Sequence, residues 1–106
     1  MERVHPRVDL NSDQLEAFCR RWKIARLELF GSALRDDFND ASDVDFLVTF
    51  EPGARWTFHD DLHMQEELAQ LLKRPVDLVE RRLVESSPNW VRRKTILTDA
   101  QPLYAA

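Results

Sequence analysis

Two aspartates, Asp43 and Asp45, stand at the mouth of the apolar run from Val44 to Phe50. Aspartate is depleted in strands. In a strand, side chains at i and i+2 share a face, which puts these carboxylates roughly 7 Å apart. Like charges so placed repel, and a divalent cation between them is the usual solution. Upstream, Gly31-Ser32 follows the apolar segment Leu27-Glu28-Leu29-Phe30, and Ser42 comes ten residues after Ser32. Downstream, Asp77 sits inside a further short apolar run, Pro75-Val76-Asp77-Leu78-Val79. A Gly-Ser turn with three strand carboxylates is a constellation for metal-assisted phosphoryl or nucleotidyl transfer.

Glycine usage sharpens the first element. The chain has only two glycines, where average usage of about 7% gives roughly seven. Gly53 falls in a Pro52-Gly53 turn. Gly31 lies at the proposed phosphate turn, where backbone freedom allows close approach to a ligand.

The elements around these motifs are legible from periodicity. Leu15, Phe18, Cys19 and Trp22 fall at i, i+3, i+4 and i+7, one stripe of a helix. Asn11 and Gln14 form a capping-box pair at its start, with Ser12 as an alternative cap. Ala25 to Phe30 alternates as a half-buried strand, with Ala25, Leu27 and Leu29 inward and Arg26 and Glu28 outward. A short helix, Ala33 to Asp37, follows the Gly-Ser turn, its first N–H groups facing an anion. Asn39-Asp40-Ala41-Ser42 is a turn-rich loop. Val44 to Phe50 is a strand. Thr57 caps a helix with Phe58, Leu62, Leu68, Ala69, Leu71 and Leu72 inward, and Val76 to Glu80 is a strand. A last helix starts at Ser87, the cap, with Pro88 in its first position. Pro102-Leu103-Tyr104 reads as an edge strand or a docked tail. Strands alternating with helices make the fold class α/β or α+β, with residues 1–106 as a single domain.

The segments Leu29-Phe30-Gly31-Ser32-Ala33-Leu34-Arg35-Asp36-Asp37, Ser42-Asp43-Val44-Asp45-Phe46-Leu47-Val48 and Val76-Asp77-Leu78-Val79 resemble the minimal nucleotidyltransferases of the DNA polymerase β-like superfamily. One departure is Leu34-Arg35-Asp36, where that family often has Ala-Arg-Gly. The resemblance implies a small mixed sheet with helices packed mainly on one side. It also implies an antitoxin encoded beside a HEPN-domain toxin, which it modifies by moving AMP from ATP to a tyrosine. On this reading two Mg²⁺ ions are bridged by Asp43 and Asp45. Asp77 completes one metal site and takes the acceptor proton. Gly31, Ser32, Arg35 and Ser42 are the nucleotide-binding candidates, with the Ser32 hydroxyl and the N–H groups after Gly31 on the β- and γ-phosphates.

Plainer readings stand beside these. Asp43 and Asp45 could be charges that discourage edge aggregation, and Asp77 an exposed position on a half-buried strand. Ser32 could be a cap without a ligand, and Arg35 a partner for Asp36 or Asp40. His59 and His63 share a helix face but have no clear third ligand, so a solvated face is expected. Asp37 to Val48 fails as an EF-hand, lacking the glycine and the terminal glutamate. Arg81-Arg82 and Arg92-Arg93-Lys94 read as surface charge, or as contacts to an acidic partner or to phosphates.

A formal charge of −4 argues against broad nucleic-acid binding. One cysteine, Cys19, excludes an internal disulfide and suits a reducing compartment. With neither signal-peptide core nor membrane span in the sequence, the expected location is the cytoplasm. The expected partners are the HEPN toxin and a nucleoside triphosphate, with homo- or hetero-oligomers open. The alternative function is an antitoxin that masks its partner without catalysis.

Overall fold

The structure is a computed structural model that describes residues 3–5, 8–39 and 42–106, the side chains of Arg3 and Ser32 excepted. An N-terminal hairpin, β1 (Arg3–His5) and β2 (Val8–Asn11), leads into α1 (Ser12–Arg21). Then come β3 (Ile24–Phe30), a 3₁₀ turn over Gly31–Leu34, β4 (Val44–Phe50), α2 (Phe58–Leu72) and β5 (Val76–Glu80). The chain closes with α3 (Arg81–Glu85), α4 (Trp90–Asp99) and β6 (Gln101–Ala105).

The main sheet has the order β5-β4-β3-β6. It is mixed: β3 runs antiparallel to β4 and β6, while β4 and β5 are parallel. Pairing of β6 with β3 settles the C-terminal segment as an edge strand. At the other edge, Gln65 on α2 accepts a hydrogen bond from the Leu78 N–H at 3.0 Å. That contact occupies a backbone donor which an open edge strand would offer to another chain.

The larger core joins α1, α2 and the hairpin to one face of the sheet, through Phe18, Leu27, Leu29, Phe46, Val48, Met64 and Leu68. Burying each such side chain contributes about 1.5–3 kcal/mol. A smaller cluster on the other face joins Phe30 and Leu47 to Val84, with Val79, Ile96 and Leu97 packed against it. Burial pushes the Cys19 thiol up to about 12, so Cys19 is a core side chain. Among the described residues no helix is long and apolar enough to cross a membrane.

Helices α1 and α2 start as their sequences dictate. Asn11 accepts from the Gln14 N–H at 2.9 Å, and Gln14 returns the contact to the Asn11 N–H at 3.1 Å. Thr57 and Asp60 make the same reciprocal pair, and the Thr57 N–H holds the Asp60 carboxyl below its ordinary range.

Four expectations are corrected. Glu28 is not on a solvated face: it is 2% exposed, because α3, packed beside it on β4 and β5, supplies Arg81 to it. On α2, the buried line is Met64, Leu68 and Leu72, and Phe58 (78% exposed) and Leu62 (40%) lie off it. At about 100° per residue Leu62 points away from that line, while Phe58, at its margin, is exposed in the first turn of the helix. The segment after Gly31 is a 3₁₀ turn ending at Leu34, not a helix from Ala33 to Asp37. Finally, α4 is capped by Asn89, whose side chain accepts from the Arg92 N–H, so Pro88 precedes the cap. Asp40 and Ala41, in the turn-rich loop, lie outside the described residues.

Candidate active site

Register builds the site. Phe30 is opposite Asp45, and Asp45 is beside Asp77, so the end of β3 and both aspartates form one row across the sheet. Neighbouring strands are about 4.8 Å apart, and paired residues point to the same face. Asp43 lies one residue before β4 begins; with Asp45 half-buried and Asp43 and Asp77 exposed, the acidic group lies at a rim. Leu47 and Val79, each two residues further along, belong to the cluster under α3 and α4. The aspartates therefore sit just past the edge of that roof.

The Gly-Ser turn meets this rim. Gly31 has φ +72°, and a Cβ there would collide with Oδ2 of Asp45 and lie 3.2 Å from its Cγ. The chain tolerates left-handed backbone without glycine elsewhere, at Lys23 (φ 54°) and Lys73 (φ 59°). What position 31 cannot tolerate is a side chain between the turn and Asp45.

The other candidates are dispersed. Ser42 accepts at its Oγ from the Asn39 N–H at 3.1 Å, closing the loop ahead of Asp43. Arg35 pairs with Asp37 at 3.2 Å, not with Asp36, and both partners are exposed; the Asp40 alternative falls outside the described residues. Arg35 also lines a cleft that contains Gly31. The Ser32 side chain is outside what the structure describes. His59 and His63 are exposed and stack on each other, with ring centroids 4.4 Å apart.

Three residues near these elements come from distant segments; Arg74 and Asp61 belong to no motif, while Arg92 belongs to the basic cluster Arg92-Arg93-Lys94. Arg74 donates to the carbonyls of Ser42 (3.3 Å) and Asn39 (3.4 Å), fastening the loop that delivers Asp43. Its guanidinium also lies over the Phe38 ring, 4.6 Å from the centroid. Asp61 on α2 has its carboxyl held above the ordinary range, first by burial, then by the charges of Glu80 and Asp77. Arg92, on α4, lines the cleft that starts at Gly31. Among the described residues no three His, Cys, Asp or Glu side chains converge tightly enough to enclose an ion as they stand. The shared face and the all-oxygen donor chemistry nonetheless suit a hard divalent cation.

Residues 12–103 match the nucleotidyltransferase domain family. A solved "putative minimal nucleotidyltransferase" is 32% identical, with TM-score 0.64 over 85% of this chain and 86% of that one. A toxin–antitoxin structure with AMP-PNP shares the fold: TM-score 0.68 and 24% identity over 92% of this chain and 75% of that one. So does the MntA-HepT toxin–antitoxin structure, with TM-score 0.60 and 22% identity over 89% and 69%. A Methanocaldococcus jannaschii protein, "Putative protein adenylyltransferase MJ1379", is 29% identical over 66 residues, or 62% of this chain. This chain spans 66% of that relative's length. The family match runs from the start of α1 into β6, across the strands that carry the aspartates, and the chain belongs to the nucleotidyltransferase domain family.

Proposed function

We propose that the protein transfers AMP from ATP to a tyrosine of a partner protein of the HEPN toxin class, and so acts as its antitoxin. The observation that carries this reading is that Gly31, which has no side chain, abuts Asp45 while strand pairing sets Asp77 beside Asp45. Fold likeness to toxin–antitoxin structures, one of them with AMP-PNP, supports the choice of partner and nucleotide.

Asp43, Asp45 and Asp77 are the residues that would hold Mg²⁺, two ions on the family's pattern, after rotation of the exposed Asp43 and Asp77 side chains. Bound there, magnesium polarises the phosphate and stabilises the attacking and leaving oxygens. The chain's own residues do the rest. Backbone N–H groups following Gly31 orient the phosphate chain, and the open backbone at that position keeps it against Asp45. Asp77 accepts the proton of the attacking tyrosine. The phenolic oxygen bonds to the α-phosphorus, the bond from that phosphorus to the bridging oxygen breaks, and pyrophosphate leaves.

The basic clusters offer less free charge for docking than their sequence suggests. Arg81 is bound to Glu28, Arg82 pairs with Glu80 at 3.2 Å, and Arg93 donates to the carbonyls of Glu85 and Ser87. Arg92, Lys94 and the exposed apolar residues Leu83, Trp90 and Val91 are the parts of this surface open to a partner or ligand.

Intact-mass spectrometry of the cognate partner after incubation with Mg-ATP tests the proposal. The expected result is a gain of one adenylyl group on a tyrosine, with pyrophosphate released. An unmodified partner held inhibited in a tight complex supports masking instead. Addition of phosphate alone means attack at the γ-phosphorus and contradicts the proposal.

A further inference from the structure

We infer that Arg92 is a nucleotide-contacting catalytic residue that grips the phosphate chain from the side opposite Gly31. The inference rests on the proposed transfer reaction and goes beyond it, since it assigns a role to a residue of α4. Two cavities locate the side chain. One is a cleft of about 890 Å³ between the Gly31–Leu34 turn and α4, lined by Phe30, Gly31, Arg35, Arg92, Thr95 and Asp99 among others. That volume falls within the roughly 300–1,000 Å³ typical of small-molecule sites. The other, about 160 Å³, lies under the α3–α4 corner and includes Val79. Arg92 lines both.

This shared position places Arg92 relative to the carboxylates. Gly31 abuts Asp45, and Val79 lies two residues beyond Asp77 on the same face of β5. Arg92 therefore borders the Gly31 cleft on one side and the Val79 cavity on the other, and the link to the carboxylates runs through Gly31, which abuts Asp45. The three neighbouring arginines are committed to protein partners. Arg92 is exposed, and among the described residues no carboxylate pairs with it. An unpaired guanidinium in the same cleft as the Gly31 turn suits a polyanion laid between the two. Its planar fork matches phosphate oxygens. As the α-phosphorus to oxygen bond breaks, negative charge grows on the departing pyrophosphate, and a cation placed there stabilises it. The cleft's apolar lining, Phe30, Leu34, Ile96 and Ala100, provides a surface for the nucleoside.

Isothermal titration of the folded full chain with Mg-ATP and with AMP decides the matter. Arg92→Ala should weaken ATP binding by roughly 10- to 100-fold, the worth of a charge-assisted contact, with AMP binding unchanged. Arg92→Lys should recover part of the loss, and Lys94→Ala should bind ATP as the wild type does. Undiminished ATP affinity in Arg92→Ala overturns the assignment, including the case in which only partner binding suffers. Equal losses for ATP and AMP overturn it too, because the contact would then be to the nucleoside. Absence of nucleotide binding by the wild type overturns the transfer reaction itself, a failure visible before any variant is made.

Discussion

Gly31→Ala is expected to slow adenylyl transfer by about 10²-fold or more while the chain stays folded. Two costs combine. An alanine at φ +72° occupies left-handed backbone, at about 1–2 kcal/mol. Its methyl would also collide with the Asp45 carboxylate, so either the turn or Asp45 must move. A displacement near 1 Å in a positioned site costs about 10²-fold in rate. Gly53→Ala separates the two effects, since Gly53 has φ +87° with nothing within 4 Å of an added Cβ. It should lose comparable stability in thermal melts and keep its transfer rate. Similar rates in the two variants would show that Gly31 serves the backbone alone.

The largest stability effect is expected at Arg81. Glu28 is 2% exposed, held by Arg81 and, at 3.4 Å, by the more exposed Arg26. Its hydrogen bond is the main cause that raises the Arg81 guanidinium above its usual range. Arg81→Met removes the principal partner and leaves a carboxylate buried in the middle of β3. Breaking such a pair costs about 3–5 kcal/mol, and the remaining Arg26 argues for the lower end. For a domain of this size each kcal/mol lowers Tm by about 4–8 °C, so a fall on the order of 15 °C should appear by calorimetry. The Glu28→Leu/Arg81→Met double variant removes the stranded charge and should recover most of the loss. A double variant as unstable as Arg81→Met alone would mean that packing, not the ion pair, holds α3 to the sheet.

Sequence readings succeeded where one local rule governed and failed where tertiary contacts decided. The bounds of β4 and β5 were legible because Pro52-Gly53 and Pro75 flank compact apolar runs. The capping box at Asn11 and the cap at Thr57 were legible because cap and helix start lie within one turn, whereas the return contact from Asp60 is seen only in the structure. Glu28 misled because its cover, α3, is an element of five residues with no periodicity to read. Phe58 and Leu62 misled because several apolar residues on α2 allowed more than one phase. The β1–β2 hairpin left little signal in strands of three and four residues. At the candidate site, Gly31, Asp43, Asp45 and Asp77 could be named from motif spacing. Arg74 and Asp61 could not, since each belongs to a segment whose placement no local pattern encodes, and Arg92 was legible only as part of a basic cluster with several possible roles.

The claim at the centre is that strand pairing of Asp45 with Asp77 builds the reaction centre. Single-turnover transfer from α-labelled ATP to the partner, comparing wild type with Asp77→Asn at saturating nucleotide, tests it most directly. A lost general base is worth roughly 10²–10⁴-fold. The predicted result is a rate lower by that factor, with ATP affinity affected far less. Equal single-turnover rates in the two proteins would contradict it and return Asp77 to an exposed position on an edge strand.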